Sequence, residues 1–203
     1  MKEFKTEYRA QQEQEWAPFD HEKGFKLLIK VVSILDDVGI PYHLEGGTLL
    51  GLVRDGQLLS WDDDMDISIP SEYIDKAAWA LTRLMISGWR VDRRRWKLFK
   101  EYGFEGTRIA KIRDRSRGLL KTGRVYMDII SKVKQEGFCY WEAKERLMRV
   151  DSKYYEGFDV VSVNGYEFKT PKYYKDYLTE KYGDWAVPVK EWDCGKDEGT
   201  IVE

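Results

Sequence analysis

Thiols and imidazoles are scarce. The 203-residue chain has two cysteines, Cys139 and Cys194, and two histidines, His21 and His43. A structural zinc site of Cys/His type needs four ligands in local pairs, so that class is excluded. The cysteines stand far apart with no partner spacing, which points to two reduced thiols in a cytosolic protein. Long apolar runs are missing as well. No stretch approaches the roughly 20 apolar residues of a membrane span. The start, Met1-Lys2-Glu3-Phe4-Lys5, runs into Gln- and Glu-rich sequence without the apolar core of a secretion signal. The expectation is a cytoplasmic protein with no transmembrane segment, its contact with a membrane limited to peripheral association. An excess of one charge sign is also lacking: 34 Lys+Arg against 36 Asp+Glu leaves a formal net charge of −2. Nothing global draws such a chain to nucleic acid.

The patterning predicts one α+β domain over 1–203, with a polar N-terminal segment at 1–20 and a polar tail at 188–203 that wraps around or frays. Phe25, Leu28, Val31, Val32, Leu35 and Val38 recur at helical spacing from His21 to Val38, and Gly39 stops that helix. Pro41 to Glu45 reads as a short strand leading into the Gly46-Gly47 turn, with a short helix from Thr48 to Arg54. Met65 to Ile69 reads as a buried strand. Ser71 can cap a helix that carries Ile74, Ala77, Ala78, Leu81 and Leu84 and closes at Gly88. Strand-like segments follow at Trp89–Val91, Trp96–Tyr102, Thr107–Ile112 and Val125–Ser131, separated by turn residues such as Gly103, Gly106, Gly118 and Gly123. Asn164-Gly165 between alternating runs marks a hairpin over Phe158–Phe168. The last helix spans Lys172 to Lys181.

The chemistry concentrates in Glu45-Gly46-Gly47-Thr48 and, about 16 residues on, Trp61-Asp62-Asp63-Asp64-Met65-Asp66-Ile67-Ser68-Ile69. Residues two apart in a strand share a face, so Asp64 and Asp66 present paired carboxylates while Met65, Ile67 and Ile69 face the core. Like charges this close call for a cation, and Mg²⁺ (or Mn²⁺) suits an oxygen site that must also grip phosphates. A solvated acidic loop is the plain alternative. A calcium loop fails, because Ile67 stands where glycine is required and Tyr73 where the bidentate Glu should be. Asp128, alone in the apolar run Val125 to Ile130, supplies a third acid or else a salt bridge to an Arg of 108–113. Gly46, Gly47 and Thr48, at a strand-to-helix turn, can meet a donor phosphate through backbone N–H groups and the hydroxyl. Arg54 follows the short helix. Lys111 and Arg113 alternate on one strand face and fit either phosphate contacts or surface pairs.

The blocks Glu45 to Arg54 and Trp61 to Ile67 closely resemble the LicD/fukutin family of the nucleotidyltransferase-fold superfamily. The resemblance continues through Met127-Asp128-Ile129, Tyr177-Leu178 and Tyr182-Gly183-Asp184-Trp185. It implies a polymerase-β-like fold with a mixed central sheet flanked by helices. It also implies Mg²⁺-dependent transfer of a phospho-alcohol, such as phosphocholine or ribitol phosphate, from a CDP-linked donor to a glycan hydroxyl. On that resemblance Asp64 and Asp66 match the metal pair and Asp128 the third acid, and all three are the candidate catalytic residues. Gly46, Gly47 and Thr48 fall near the donor phosphates and Arg54 on a basic position; Lys111 would steady developing charge. Asp55, Leu59-Ser60 and Ile130-Ser131 depart from the family's pattern at the walls of the site, where they bear on substrate identity. Two rivals remain: a nucleotidyltransferase that places an NMP on a sugar or small molecule, and a non-catalytic nucleotide-binding module.

Overall fold

Leu28, Val31 and Leu35 line one side of the first helix, α1 (His21–Asp37), and are fully buried. Asp20 caps it by accepting from the Lys23 N–H at 2.9 Å, and Gly39 ends it at φ 66°. These elements come from a computed structural model that describes residues 18–115 and 123–202. Residues 1–17 of the polar segment expected over 1–20, and the turn at Gly118, lie outside the described residues. Among the described residues no helix is long and apolar enough to cross a membrane.

The core sheet is mixed, as expected. Its order is β1 (His43–Glu45), β2 (Met65–Pro70), β5 (Val125–Gln135), β4 (Thr107–Asp114) and β3 (Trp89–Arg95). β2 and β5 run parallel, and the other neighbours are antiparallel. Met65, Ile67 and Ile69 are wholly buried toward the core, where α1 packs against β5 and against α3 (Ile74–Ala80). The alternation of β2 therefore turns Asp66 and Ser68 to the other face. α2 (Gly46–Arg54) lies against β1 and β2.

Past Ser131 the second half of β5 pairs with β6 (Phe138–Ala143), which pairs with β7 (Arg146–Asp151). The β8 (Phe158–Val163) and β9 (Tyr166–Pro171) hairpin turns through Asn164 and Gly165 at φ 52° and 80°, the left-handed pair that a type I′ turn requires. α4 (Tyr174–Tyr182) follows.

Two expectations need correction. Trp96–Tyr102 is no strand: Lys100–Tyr102 forms a 3₁₀ turn, and Trp96 packs with Phe104, Tyr140 and Leu147 in a small aromatic cluster. The helix expected from Ser71 is broken into a 3₁₀ turn, the seven-residue α3 and a second 3₁₀ stretch, and Ser71 makes no cap bond. Of its two expected courses the tail takes the wrap-around one: Ile201 bridges Met148 and Val202 N–H donates to Leu147 at 2.8 Å. The β6–β7 pair was not anticipated.

Gly51 supplies a packing prediction. A Cβ there would lie 2.7 Å from the Gln57 carbonyl oxygen and 2.9 Å from the Leu59 nitrogen, both backbone atoms that cannot rotate away. Gly51→Ala is expected to cost about 1–3 kcal/mol. Urea denaturation should show a lower midpoint at unchanged slope.

Candidate active site

Strand register builds the site. Glu45 of β1 stands opposite Asp66 of β2, Asp66 opposite Asp128 of β5, and Asp128 opposite Lys111 of β4. Opposite residues share a face, so four ionisable side chains form one row across neighbouring strands roughly 4.8 Å apart. Asp64 enters just before β2, two residues from Asp66. The structure thus gathers Asp64, Asp66, Asp128 and Lys111.

The glycine pair is pressed onto acids. Gly46 has φ 57°, and a Cβ on it would lie 2.6 Å from Asp66 Oδ2. A Cβ on Gly47 would lie 2.0 Å from Asp62 Oδ2. A side chain at either position would displace a carboxylate, so the backbone at the start of α2 sits directly against two carboxylates. The positive end of the helix favours negative charge there. The Thr48 hydroxyl accepts the Asp66 N–H at 2.8 Å, which stitches α2 to β2.

The electrostatics follow from this crowding. Burial, then the charges of Asp128 and Asp62, pushes Asp64 up to about 7. Burial, then Asp64 and Asp128, holds Asp66 well above the usual carboxylate range. Asp128 gives one oxygen to the Lys111 ammonium, while its Oδ1 is buried without a hydrogen-bond partner. The partner of Asp128 is therefore a lysine of 108–113 rather than an arginine. No three His, Cys, Asp or Glu side chains among the described residues are close enough to enclose an ion as they stand. The donor set nevertheless suits a hard cation: all oxygen, mutually repelling, with one orphaned carboxylate oxygen.

Two basic candidates stand apart. Arg54, at the far end of α2 from Gly46, pairs with Asp55 at 2.7 Å and lies over the Trp61 ring at 5.8 Å. Arg113 pairs with Asp92 at 3.3 Å and donates to the Gly123 carbonyl at 3.2 Å.

Two residues were missed. Asp62, outside the Asp64 and Asp66 pair that strand parity selects, turns its carboxylate onto Gly47, whereas Asp63 points outward to Arg124 at 2.5 Å. Glu45 is 1% exposed and accepts from Tyr177 at 2.5 Å, Lys181 at 2.9 Å and Tyr155 at 2.9 Å. Lys132 Nζ lies 3.0 Å away, out of hydrogen-bond alignment and 3.1 Å above the Trp141 ring centre. An acid closing a strand and a lysine inside an apolar run are weak signals singly. Only their pairing reveals the network.

A mixed sheet carrying an acidic row beside a strand–glycine–helix turn defines a nucleotidyltransferase-type domain. The chain belongs to the LicD/FKTN/FKRP nucleotidyltransferase-domain family, whose model matches residues 39–173. Ribitol 5-phosphate transferase FKRP of Mus musculus and that of Homo sapiens are each 49% identical over 39 residues. That match spans 19% of this chain and only 8% of those proteins. Among solved structures, the lincomycin-bound lincosamide antibiotic adenylyltransferase LnuA aligns with a TM-score of 0.47 and 12% identity, over 80% of this chain and 86% of its own. ANT(2″)-Ia in complex with adenylyl-2″-tobramycin aligns with a TM-score of 0.45 and 19% identity, over 84% and 81%. Likenesses this loose carry no functional argument. The matched family model is that of a nucleotidyltransferase domain.

Proposed function

We propose that this protein moves a phospho-alcohol, a polyol phosphate or phosphocholine-like group, from a CDP-linked donor to a hydroxyl of a glycan or small molecule. The observation that carries the reading is the acidic row beside the Gly46-Gly47 turn in a member of this family. The 39-residue likeness to a ribitol 5-phosphate transferase favours the polyol form. Asp64, Asp66 and Asp128 would hold Mg²⁺, with Mn²⁺ as its substitute. Bound there, the ion would neutralise charge on the donor pyrophosphate.

The chain's own groups do the rest. Gly46 and Gly47 let the start of α2 lie directly against the Asp66 and Asp62 carboxylates, which brings the positive end of the helix to the acidic row beside the donor phosphates. The acceptor oxygen forms a bond to the distal phosphorus as the bond to CMP breaks, and its proton passes to the Asp128 carboxylate. Lys111 holds one Asp128 oxygen and balances developing negative charge. Arg54 beside Trp61 would meet a more distant part of the donor.

Product analysis tests this. Incubation with CDP-ribitol or CDP-choline, Mg²⁺ and a hydroxyl acceptor should release CMP, and Asp64→Asn should lose that release on the order of 10³-fold. Pyrophosphate released from a nucleoside triphosphate instead would favour nucleotidyl transfer. Undiminished CMP release by Asp64→Asn would remove the mechanism.

A further inference from the structure

Glu45 is not a spare member of the acidic row. Its carboxylate is taken up by two lysines and two tyrosines, all reached from distant parts of the chain. Lys181 Nζ also meets Glu198 Oε1 at 3.1 Å, and Thr200 donates to the same carboxylate at 2.5 Å. Two acids and two bases, each at most 6% exposed, thus form a balanced cluster beneath the site. Lys181 and Glu198 lie beyond residue 173, outside the region that the family match covers.

Position gives this cluster a consequence for the site. Glu45 directly precedes Gly46 and pairs in register with Asp66. Its Oε1 also accepts the Gly46 N–H at 3.2 Å. Gly46 in turn leaves less than a methyl group's space to Asp66 Oδ2. A Glu45 carboxylate fixed at four points therefore fixes the start of α2, and α2 fixes Asp66 both through Gly46 and through Thr48. Rotation of Glu45 would drive the Gly46 backbone into the Asp66 carboxylate or draw it away.

We propose that Glu45, clamped by Lys132, Lys181, Tyr155 and Tyr177, is a positioning residue that sets Asp66 and the glycine turn for the divalent cation. The inference rests on the metal-dependent reading given above. Charge and position make opposite demands at Lys132. Removing a buried positive charge close to an acidic site strengthens cation binding if only Coulomb attraction matters. It weakens binding if Lys132 acts by holding Glu45.

Mn²⁺ is the probe, its free concentration followed by electron paramagnetic resonance on the full chain without substrate. Lys132→Gln is expected to weaken Mn²⁺ binding on the order of 10-fold, as loss of outer supports does in metal sites. The Tyr155→Phe/Tyr177→Phe double variant keeps every charge and is expected to weaken binding roughly 3- to 10-fold. Near-ultraviolet circular dichroism checks that each variant is folded. Should Lys132→Gln fail to fold, the tyrosine pair decides. Equal or tighter binding by folded Lys132→Gln, or an unchanged constant in the double variant, overturns the inference alone. Wild-type protein that takes up no Mn²⁺ overturns the metal-dependent reading itself, and this inference with it.

Discussion

Asp66→Asn is expected to abolish divalent-dependent turnover, by about 10³-fold or more, while making the metal-free protein more stable at pH 8. The two effects share a cause. Burial and the charges of Asp64 and Asp128 hold Asp66 well above its ordinary value of 3.8. The folded protein then keeps a proton over a pH range in which the unfolded chain has released it. That contribution to stability is complete below the unfolded value and is lost as pH rises through the folded one. Asp64, pushed up to about 7, adds a second loss of the same sign. Asparagine keeps the shape and removes the charge, so the variant escapes the alkaline penalty. Without metal at pH 8, its melting temperature should exceed wild type by about 5 °C or more, and the difference should vanish only as pH falls below 3.8. Added Mg²⁺ should stabilise wild type and not the variant. Equal melting temperatures at pH 8 would sink the electrostatic account, and retained turnover would sink the catalytic one.

Glu45→Ala should act in the opposite direction. It takes from Lys132 its ion-pair partner and from Lys181 one of two, the other being Glu198, and both lysines are buried to within 3% of full. Breaking a buried ion pair from one side costs about 3–5 kcal/mol. Urea unfolding at pH 7 should show a loss of that order. The deficit should shrink as pH is raised toward 10. Burial already lowers Lys132 from 10.5 to about 8, and a lysine that has shed its proton needs no counter-charge. A deficit below about 1 kcal/mol, or one that grows with pH, would contradict the buried-cluster account.

Where local chemistry decides the structure, the sequence was readable. The stripe of α1, the Asn164-Gly165 turn and the Met65-Ile67-Ile69 alternation each depend on neighbouring residues alone. The acidic row was half readable: parity aligned Asp64 with Asp66, and the apolar setting of Asp128 marked a neighbouring strand. The β6–β7 hairpin was hidden because it turns through Lys144 and Glu145, at φ 45° and 62°, with no glycine or asparagine to announce the left-handed pair. The Trp96–Tyr102 run alternates like a strand, but its aromatic side chains bury themselves against Tyr140 instead of pairing a backbone. Asp62 escaped because parity does not operate in a loop. The partners of Glu45 escaped because nothing local connects positions 45, 132 and 181.

That last separation has a bearing on how the molecule is made. Glu45 and Lys181 are 136 residues apart, and Glu198 follows later still. During synthesis, at about 5–20 residues per second, β1 and α2 emerge long before their counter-ions. Glu45 cannot meet Lys181 and Glu198 until those residues have been made. Closure of the cluster around Glu45 thus comes after most of the acidic row has already been made.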